Sequence, residues 1–264
     1  MKTSWDYNDN LYEELISFIK QKGLDPSVPF MLCHFDQIHA GGIKATEQLS
    51  KLIDFDSNDY LLDIGGGIGG FARYLSIKNY HYIVSLDYSW IYSSTGKKLT
   101  DLCKIENINF INGNALFLPF KDACFKHILL QHVNMNIENK YQLLKECRRV
   151  IKKDSTLIFH EWFIRDFSYI DDLTYPLPWA DLKEQSFLTT FNYFVETAYK
   201  TGFKNTLLIN ETENSLKFYE KILKEKLFSN PIFKGREPEK IFQNTVDALK
   251  HNKVEVLSGM LKPL

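Results

Sequence analysis

Tyr60-Leu61-Leu62-Asp63-Ile64-Gly65-Gly66-Gly67-Ile68-Gly69-Gly70 is the stretch on which the reading of this chain turns. A short apolar run ends in Asp63, five glycines follow within six positions, and an apolar, helix-compatible stretch starts at Phe71. That order predicts a strand, a tight glycine turn and a helix. Glycine is needed where the backbone turns with positive φ or where a ligand comes close. The turn therefore predicts a nucleotide-like ligand.

The alternation continues downstream. His81–Asp87, Ile108–Asn112, Phe125–Gln131 and Ser155–Trp162 read as strands, with helices expected over Ser89–Ile105 and Glu138–Ile151 and a turn at Lys152-Lys153-Asp154. Strands alternating with helices predict an α/β fold with a doubly wound, mostly parallel sheet and right-handed crossovers. Upstream, helices are expected at 9–22, stopped by Gly23, and at Ile43–Ile53, with Asp25–Pro29 a loop. Past Phe163 the pattern loosens. Asp171–Trp179, with Pro176 and Pro178, reads as an inserted loop; Asp181–Thr201, 213–230 and 238–251 read as helices, and Lys204–Asn210 and Lys253–Leu261 as strands.

Composition is that of an ordinary globular protein: 264 residues, 44% hydrophobic, 25% charged and a formal net charge of −1. The balanced charge gives no electrostatic case for nucleic acid or an anionic membrane. No apolar run approaches a membrane span, and the first residues lack a signal-peptide pattern. Cys33, Cys103, Cys124 and Cys147 show no Cys-x-x-Cys spacing, so neither a disulfide framework nor a zinc site is expected, and a cytoplasmic location fits.

Two fingerprints overlap in the glycine stretch. Gly65, Gly67 and Gly70, with Asp87 about twenty residues on, satisfy the dinucleotide pattern. Asp63, Gly65, Gly67 and Gly69 satisfy acid-x-Gly-x-Gly-x-Gly. Asp63 separates the readings: a carboxylate at the strand tip repels a pyrophosphate but helps to hold an α-ammonium. The position of the turn, behind two helices, also favours a ligand that carries an ammonium and no phosphate.

The chain resembles the class I S-adenosylmethionine-dependent methyltransferases over nearly its whole length. Asp63 and the glycines carry the likeness, with Gly113-Asn114-Ala115, Leu118-Pro119-Phe120 and Arg149-Val150-Ile151-Lys152. The resemblance implies a Rossmann-like seven-stranded sheet whose last strand is antiparallel, with N-terminal helices and a helical insertion over 164–202 covering the site. It implies one methyltransferase domain: a lid in 1–55, a cofactor-binding core in 56–163 and acceptor-selecting elements in 164–264. It implies S-adenosylmethionine as cofactor, with Asp63, Gly65, Gly67, Gly69, Asp87, Tyr88, Asn114, Ala115 and Gln131 around it. Asn114 stands where the family has an aspartate that accepts from the adenine amino group; its oxygen still accepts, without charge assistance.

Three further stretches, Asp36–Thr46, Gln131–Ile137 and Tyr175–Ala180, resemble the sarcosine/dimethylglycine and phosphoethanolamine N-methyltransferase group. The resemblance implies a small-molecule acceptor and, first, N-methylation of an amine or amino acid. O- or C-methylation of a small metabolite is the alternative. In the phosphobase enzymes an acid and a histidine follow the fourth strand; here His132 and Asn136 take those places, which removes an anion suited to a cationic amine. His132 is the candidate base. His39, Asn136, His160, Tyr175 and Trp179 are candidate acceptor contacts, with Asp36 and His39 in a lid and His160-Glu161 at the sheet rim. The remaining histidines form no metal-ligand spacing. The late basic residues Lys221, Lys224, Lys226, Lys234, Arg236 and Lys240 alternate with glutamates and read as a solvated face. A nicotinamide oxidoreductase and a non-catalytic binding protein on the same fold remain the rival classes. A nucleic-acid methyltransferase lacks support, since no Asn/Asp-Pro-Pro-Tyr/Phe motif is present.

Overall fold

The computed structural model describes residues 8–54, 59–78, 80 and 82–264. Its seven strands are β1 (Tyr60–Ile64), β2 (Tyr82–Asp87), β3 (Ile108–Asn112), β4 (Phe125–Gln131), β5 (Ile151–Ile164), β6 (Phe203–Asn210) and β7 (Val254–Pro263). They form one sheet in the order β3-β2-β1-β4-β5-β7-β6. All neighbours run parallel up to β5, and β7 is antiparallel to both β5 and β6. The strand order reverses between β1 and β4, so the crevice beyond their carboxyl ends is where such a sheet holds a ligand. The expected Rossmann-like sheet with an antiparallel last strand is what the structure shows. His81, expected at the start of the second strand, lies outside the described residues.

Side-chain alternation decides which residues share a face. Leu62, Ile64, Ile128, Leu130, Leu157 and Phe159 pack with α6 (Lys140–Val150) and α7 (Phe191–Lys200). Leu61, Ile83, Leu129 and Ile158 pack on the other face with α3 (Gly42–Ser50) and α4 (Gly70–Ile77). Asp63, Gln131 and His160 have the alternation of this second face, under the N-terminal segment. β1, β4 and β5 pair in register here: Asp63 lies opposite Leu129, and Gln131 opposite His160. A third core sits beyond the carboxyl edge. There Trp162 and Ile164 of β5 and Val254 and Val256 of β7 meet Trp179, α8 (Thr212–Glu225) and α9 (Pro238–Lys250).

Four local expectations are corrected. The loop expected over Asp25–Pro29 ends at Val28, because Pro29 opens α2 (Pro29–Asp36) at its first turn, where the missing N–H costs nothing. The residues Lys152–Asp154 are not a turn but a bulged part of β5, where Lys152 pairs with Asp59 at 3.0 Å. The helix expected over Asp181–Thr201 starts only at Phe191. Before it, Gln185 Oε1 accepts from the N–H groups of Asp181 and Leu182 and holds a 3-10 turn, and Thr190 caps α7. The segment 164–202 is therefore mostly loop where it borders the carboxyl edge. Arg236 is not on a solvated face: its buried guanidinium bonds Asp181 and the carbonyls of Leu177 and Pro178.

Candidate active site

The glycine turn connects β1 to α4 with Gly65, Gly67 and Gly69 all at positive φ, from 56° to 80°. A Cβ on Gly66 would lie 2.1 Å from Ser85 Oγ and 2.8 Å from Asp63 Oδ2, so the turn sits directly against Asp63. A Cβ on Gly67 would meet nothing within 4 Å, which marks the open side of the turn. The Asp87 carboxylate fixes this conformation, accepting from Gly67 N at 2.9 Å and Ser89 N at 2.8 Å. Asp63 is 2% exposed and its Oδ2 has no hydrogen-bond partner. Burial, with a smaller contribution from the charge of Asp87, pushes its carboxyl up to about 7.

These residues fit S-adenosylmethionine. A buried carboxylate oxygen without a donor is costly, and an ammonium would supply one. Asp87 places an acceptor-only carboxylate at the tip of β2, the group type suited to ribose hydroxyls. Tyr88, more than half exposed, follows it, and Asn112 Nδ2 donates to the carbonyls of Asp87 and Tyr88, fixing that corner. Asn114 opens the loop after β3 and Ala115 is buried beside it. The Asn114 oxygen already accepts from Leu116 N at 2.9 Å and has a second lone pair free for an amino group. Gln131 ends β4 and its Nε2 stands 3.5 Å from His160 Nδ1. Asp63, the turn, Asp87 and the Asn114 loop are thus gathered at the carboxyl ends of β1, β2 and β3.

Three histidines converge at the ends of β4 and β5. The ring centroids of His132 and His160 are 4.6 Å apart, those of His39 and His132 5.9 Å, and those of His39 and His160 6.3 Å. His132 has φ +56°, and its backbone N–H donates to His160 O at 2.9 Å. Neither of its ring nitrogens has a partner, nor does His160 Nε2. His39 Nε2 lies 3.1 Å from the Gly42 carbonyl, which can only accept; that nitrogen carries the proton and Nδ1 is left as an acceptor. Burial holds all three rings neutral: His39 is lowered to about 4, His160 to about 3 and His132 well below its ordinary value. The cluster touches the glycine turn through Val133, whose Cγ2 would be 2.3 Å from a Cβ on Gly65. Trp162 borders His132 at 6.0 Å.

The other expected acceptor contacts stand further back. Trp179 is fully buried, its ring tilted at 41° to that of Trp162 with centroids 4.9 Å apart, and its indole N–H is on Ser186 Oγ. Asn136 Nδ2 donates to Trp179 O at 2.7 Å, tying the turn after β4 to the loop 175–180, and Tyr175 packs partly buried in the same cap core. Sequence reasoning missed Arg73, which is fully buried and pairs with Asp36 at 2.8 Å, latching α2 onto the helix that follows the glycine turn. It also missed Lys140 and Trp162; a glutamate inside the apolar strand Phe159-His160-Glu161-Trp162-Phe163 was the signal available.

Residues 62–159 match the family model described as a methyltransferase domain. Demethylmenaquinone methyltransferase of Bacillus cereus is 26% identical over 152 residues, 53% of this chain and 60% of that protein. The chain thus spans about three fifths of the length of the curated relatives it matches. Among solved structures, the Galdieria sulphuraria protein described as a sarcosine dimethylglycine methyltransferase superposes with a TM-score of 0.73 at 17% identity, covering 83% of this chain and 85% of that one. Phosphoethanolamine N-methyltransferase 2 of Haemonchus contortus, in complex with S-adenosyl-L-methionine, gives 0.74 at 17% identity over 99% of this chain and 59% of that one. The sequence match to a methyltransferase-domain model thus covers the sheet core, residues 62–159, and the likeness in fold to these solved structures extends over most of the chain.

Proposed function

We propose that this chain transfers a methyl group from S-adenosylmethionine to a small molecule, and that the acceptor atom is an amine nitrogen. The observation that carries the acceptor reading is the neutral histidine cluster, with both His132 ring nitrogens unpartnered beside the glycine turn that packs against Asp63. Bound S-adenosylmethionine would supply an electrophilic methyl on a sulfonium. Asp63 would hold its ammonium, and Asp87 its ribose, while the Asn114 oxygen would accept from its adenine.

An amine must present a free lone pair to be methylated, so an ammonium has to lose a proton first. A neutral imidazole close to the acceptor takes that proton, and burial keeps it unprotonated beforehand. The carboxylates nearest the cluster are already engaged: Glu161 by the N–H groups of Val133 and Asn134, Asp36 by Arg73. The surroundings therefore favour a neutral amine over a permanently charged one. A hydroxyl acceptor would use the same proton transfer and is the second reading that these neutral rings support.

The test is a panel of small primary and secondary amines, amino acids and hydroxylated metabolites offered with isotopically labelled cofactor, with products read by mass. Labelled N-methyl product, lost in His132→Ala while affinity for S-adenosylhomocysteine is kept, is the expected result. Labelled product from hydroxylated compounds alone would replace the amine reading. Binding of NAD in place of S-adenosylhomocysteine would remove the methyltransferase reading altogether.

A further inference from the structure

We infer that Glu161 and Lys140 are positioning residues for His132: two buried, opposite charges that clamp the two ends of the turn which sets its ring. The inference rests on placing His132 in the acceptor site. It concerns the backbone that aims the ring rather than the chemistry of the acceptor.

After β4 the chain makes a 3-10 turn at Asn134–Asn136, with Asn136 N donating to Val133 O at 2.9 Å. A turn this short leaves its first N–H groups and last carbonyls without partners of its own. Glu161 meets the first set: its Oε1 accepts from Val133 N at 3.0 Å and Asn134 N at 3.1 Å, and its Oε2 from Val133 N at 3.1 Å. Lys140 meets the second set: its ammonium donates to the carbonyls of Asn134 and Ile137, and at 2.6 Å to Phe187 O. Phe187 in turn donates its N–H to Met135 O at 2.8 Å. Anion at the amino end and cation at the carboxyl end is the arrangement that the dipoles of the turn favour.

Glu161 is fully buried and Lys140 is 4% exposed; the two feel each other's charge, yet among the described residues no direct ion pair joins them. Each charge is stabilised instead by peptide groups of the turn. Burial raises the Glu161 carboxyl, against the N–H groups of Val133 and Asn134 and the Lys140 charge, and burial lowers the Lys140 ammonium, against the charges of Glu161 and Glu138. Two buried charges kept against that cost, without pairing directly, define a geometry rather than merely fill space. What they define is the position of His132, whose left-handed backbone directly precedes the clamped Val133 and whose own N–H is fixed on His160 O. Alternation along β5 then splits the work: His160 faces the histidine cluster, and Glu161, one residue on, faces the turn from the opposite side.

The test uses the full chain and reads the His132 imidazole by NMR, its signal assigned through His132→Asn, with no acceptor present. In the parent protein the His132 signal should stay in its neutral form over pH about 5 to 8, as a buried ring does. In Glu161→Leu, which offers Val133 N and Asn134 N no acceptor, and in Lys140→Met, the signal should shift and titrate near the unperturbed value of about 6.5. Affinity for S-adenosylhomocysteine should stay within about threefold of the parent, because the glycine turn is untouched. Where a single variant does not fold, the double variant Lys140→Met/Glu161→Leu leaves no unpaired buried charge and is read the same way. A His132 signal unchanged in folded variants overturns the inference. This readout needs no methylated product, so it fails or stands apart from the acceptor assignment.

Discussion

Asp63→Asn should make the ligand-free protein more stable and the cofactor complex weaker, two effects of opposite sign from one carboxylate. Asp63 is 2% exposed, has a partnerless Oδ2 and feels the charge of Asp87, and its carboxyl lies at about 7 against 3.8 ordinarily. At pH 8 the group is ionised whether the chain is folded or not. The displacement of about three units corresponds to ~4 kcal/mol of strain carried by the charged form. An amide of the same shape removes the charge but leaves its own buried polar atoms, at a cost of about 2 kcal/mol, so the net gain is ~2 kcal/mol. For a chain of this size that is a rise in Tm of about 4–8 °C. The sign with pH follows from proton counting. Between about 4 and 7 the folded parent binds more protons than the unfolded chain, so its stability falls as pH rises through that window. The variant should therefore be less stable than its parent by about 2 kcal/mol near pH 4 and more stable by about 2 kcal/mol at pH 8. Thermal unfolding of both proteins across that range measures it. Calorimetry with S-adenosylhomocysteine should show binding weakened about 10- to 100-fold, the value of a charge-assisted hydrogen bond. A variant less stable than its parent at pH 8, or one that binds the cofactor product equally well, refutes the role given to Asp63.

The other predictions concern single contacts. His160, lowered to about 3, is neutral when folded, so the unfolded chain binds an extra proton as pH drops below about 6.5. His160→Gln should gain on its parent by up to ~1.4 kcal/mol per pH unit from pH 6.5 toward 4, and urea unfolding curves that stay parallel would contradict this. Gly66→Ala should cost about 2–3 kcal/mol, because its methyl meets Ser85 and Asp63. Gly67→Ala should cost about 1–2 kcal/mol for its left-handed backbone, yet weaken cofactor binding more. Arg73→Met leaves Asp36 buried and unpaired and should destabilise by about 3–5 kcal/mol; a smaller loss than Gly67→Ala in urea unfolding would show the latch to be unimportant. Asp87→Ala should lower affinity for S-adenosylhomocysteine by about 1.5–3 kcal/mol, since both the ribose contact and the bond to Gly67 N go; titration calorimetry reads it directly.

The sheet was legible because its information is local. Apolar runs ending in Asp63, Asp87 and Gln131, broken by glycine or polar turns, carry strand positions within a few residues of one another. The glycine spacing and Asp87 likewise located the turn between β1 and α4. What escaped the sequence is long-range. Arg73 and Asp36 are 37 positions apart, and nothing near either says that they meet. His39, His132 and His160 come together only when α2 and α3 fold over the ends of β4 and β5. α2 itself was lost because Pro29 reads as a loop residue until it is seen to begin a helix. The stretch Asp181–Thr190 misled in the other sense: its polar pattern suits a helix, but the Gln185 side chain captures the backbone first.

β5 is 14 residues long, about twice the length that the sheet needs, and β4 stops at Gln131 opposite His160. From Glu161 to Ile164 it pairs with β7 alone. At about 3.3 Å per residue this carries the ribbon ~13 Å past the edge of the parallel sheet. The cap of Trp162, Trp179, α8 and α9 is built on that post, so it cannot swing as a hinged lid without bending two paired strands. The N-terminal segment has no such ladder; α2 and α3 lie over the histidines held by side chains, chief among them the Asp36–Arg73 latch. The N-terminal segment is therefore the part of the cover that Arg73→Met is expected to loosen, with the post of β5 and β7 left in place.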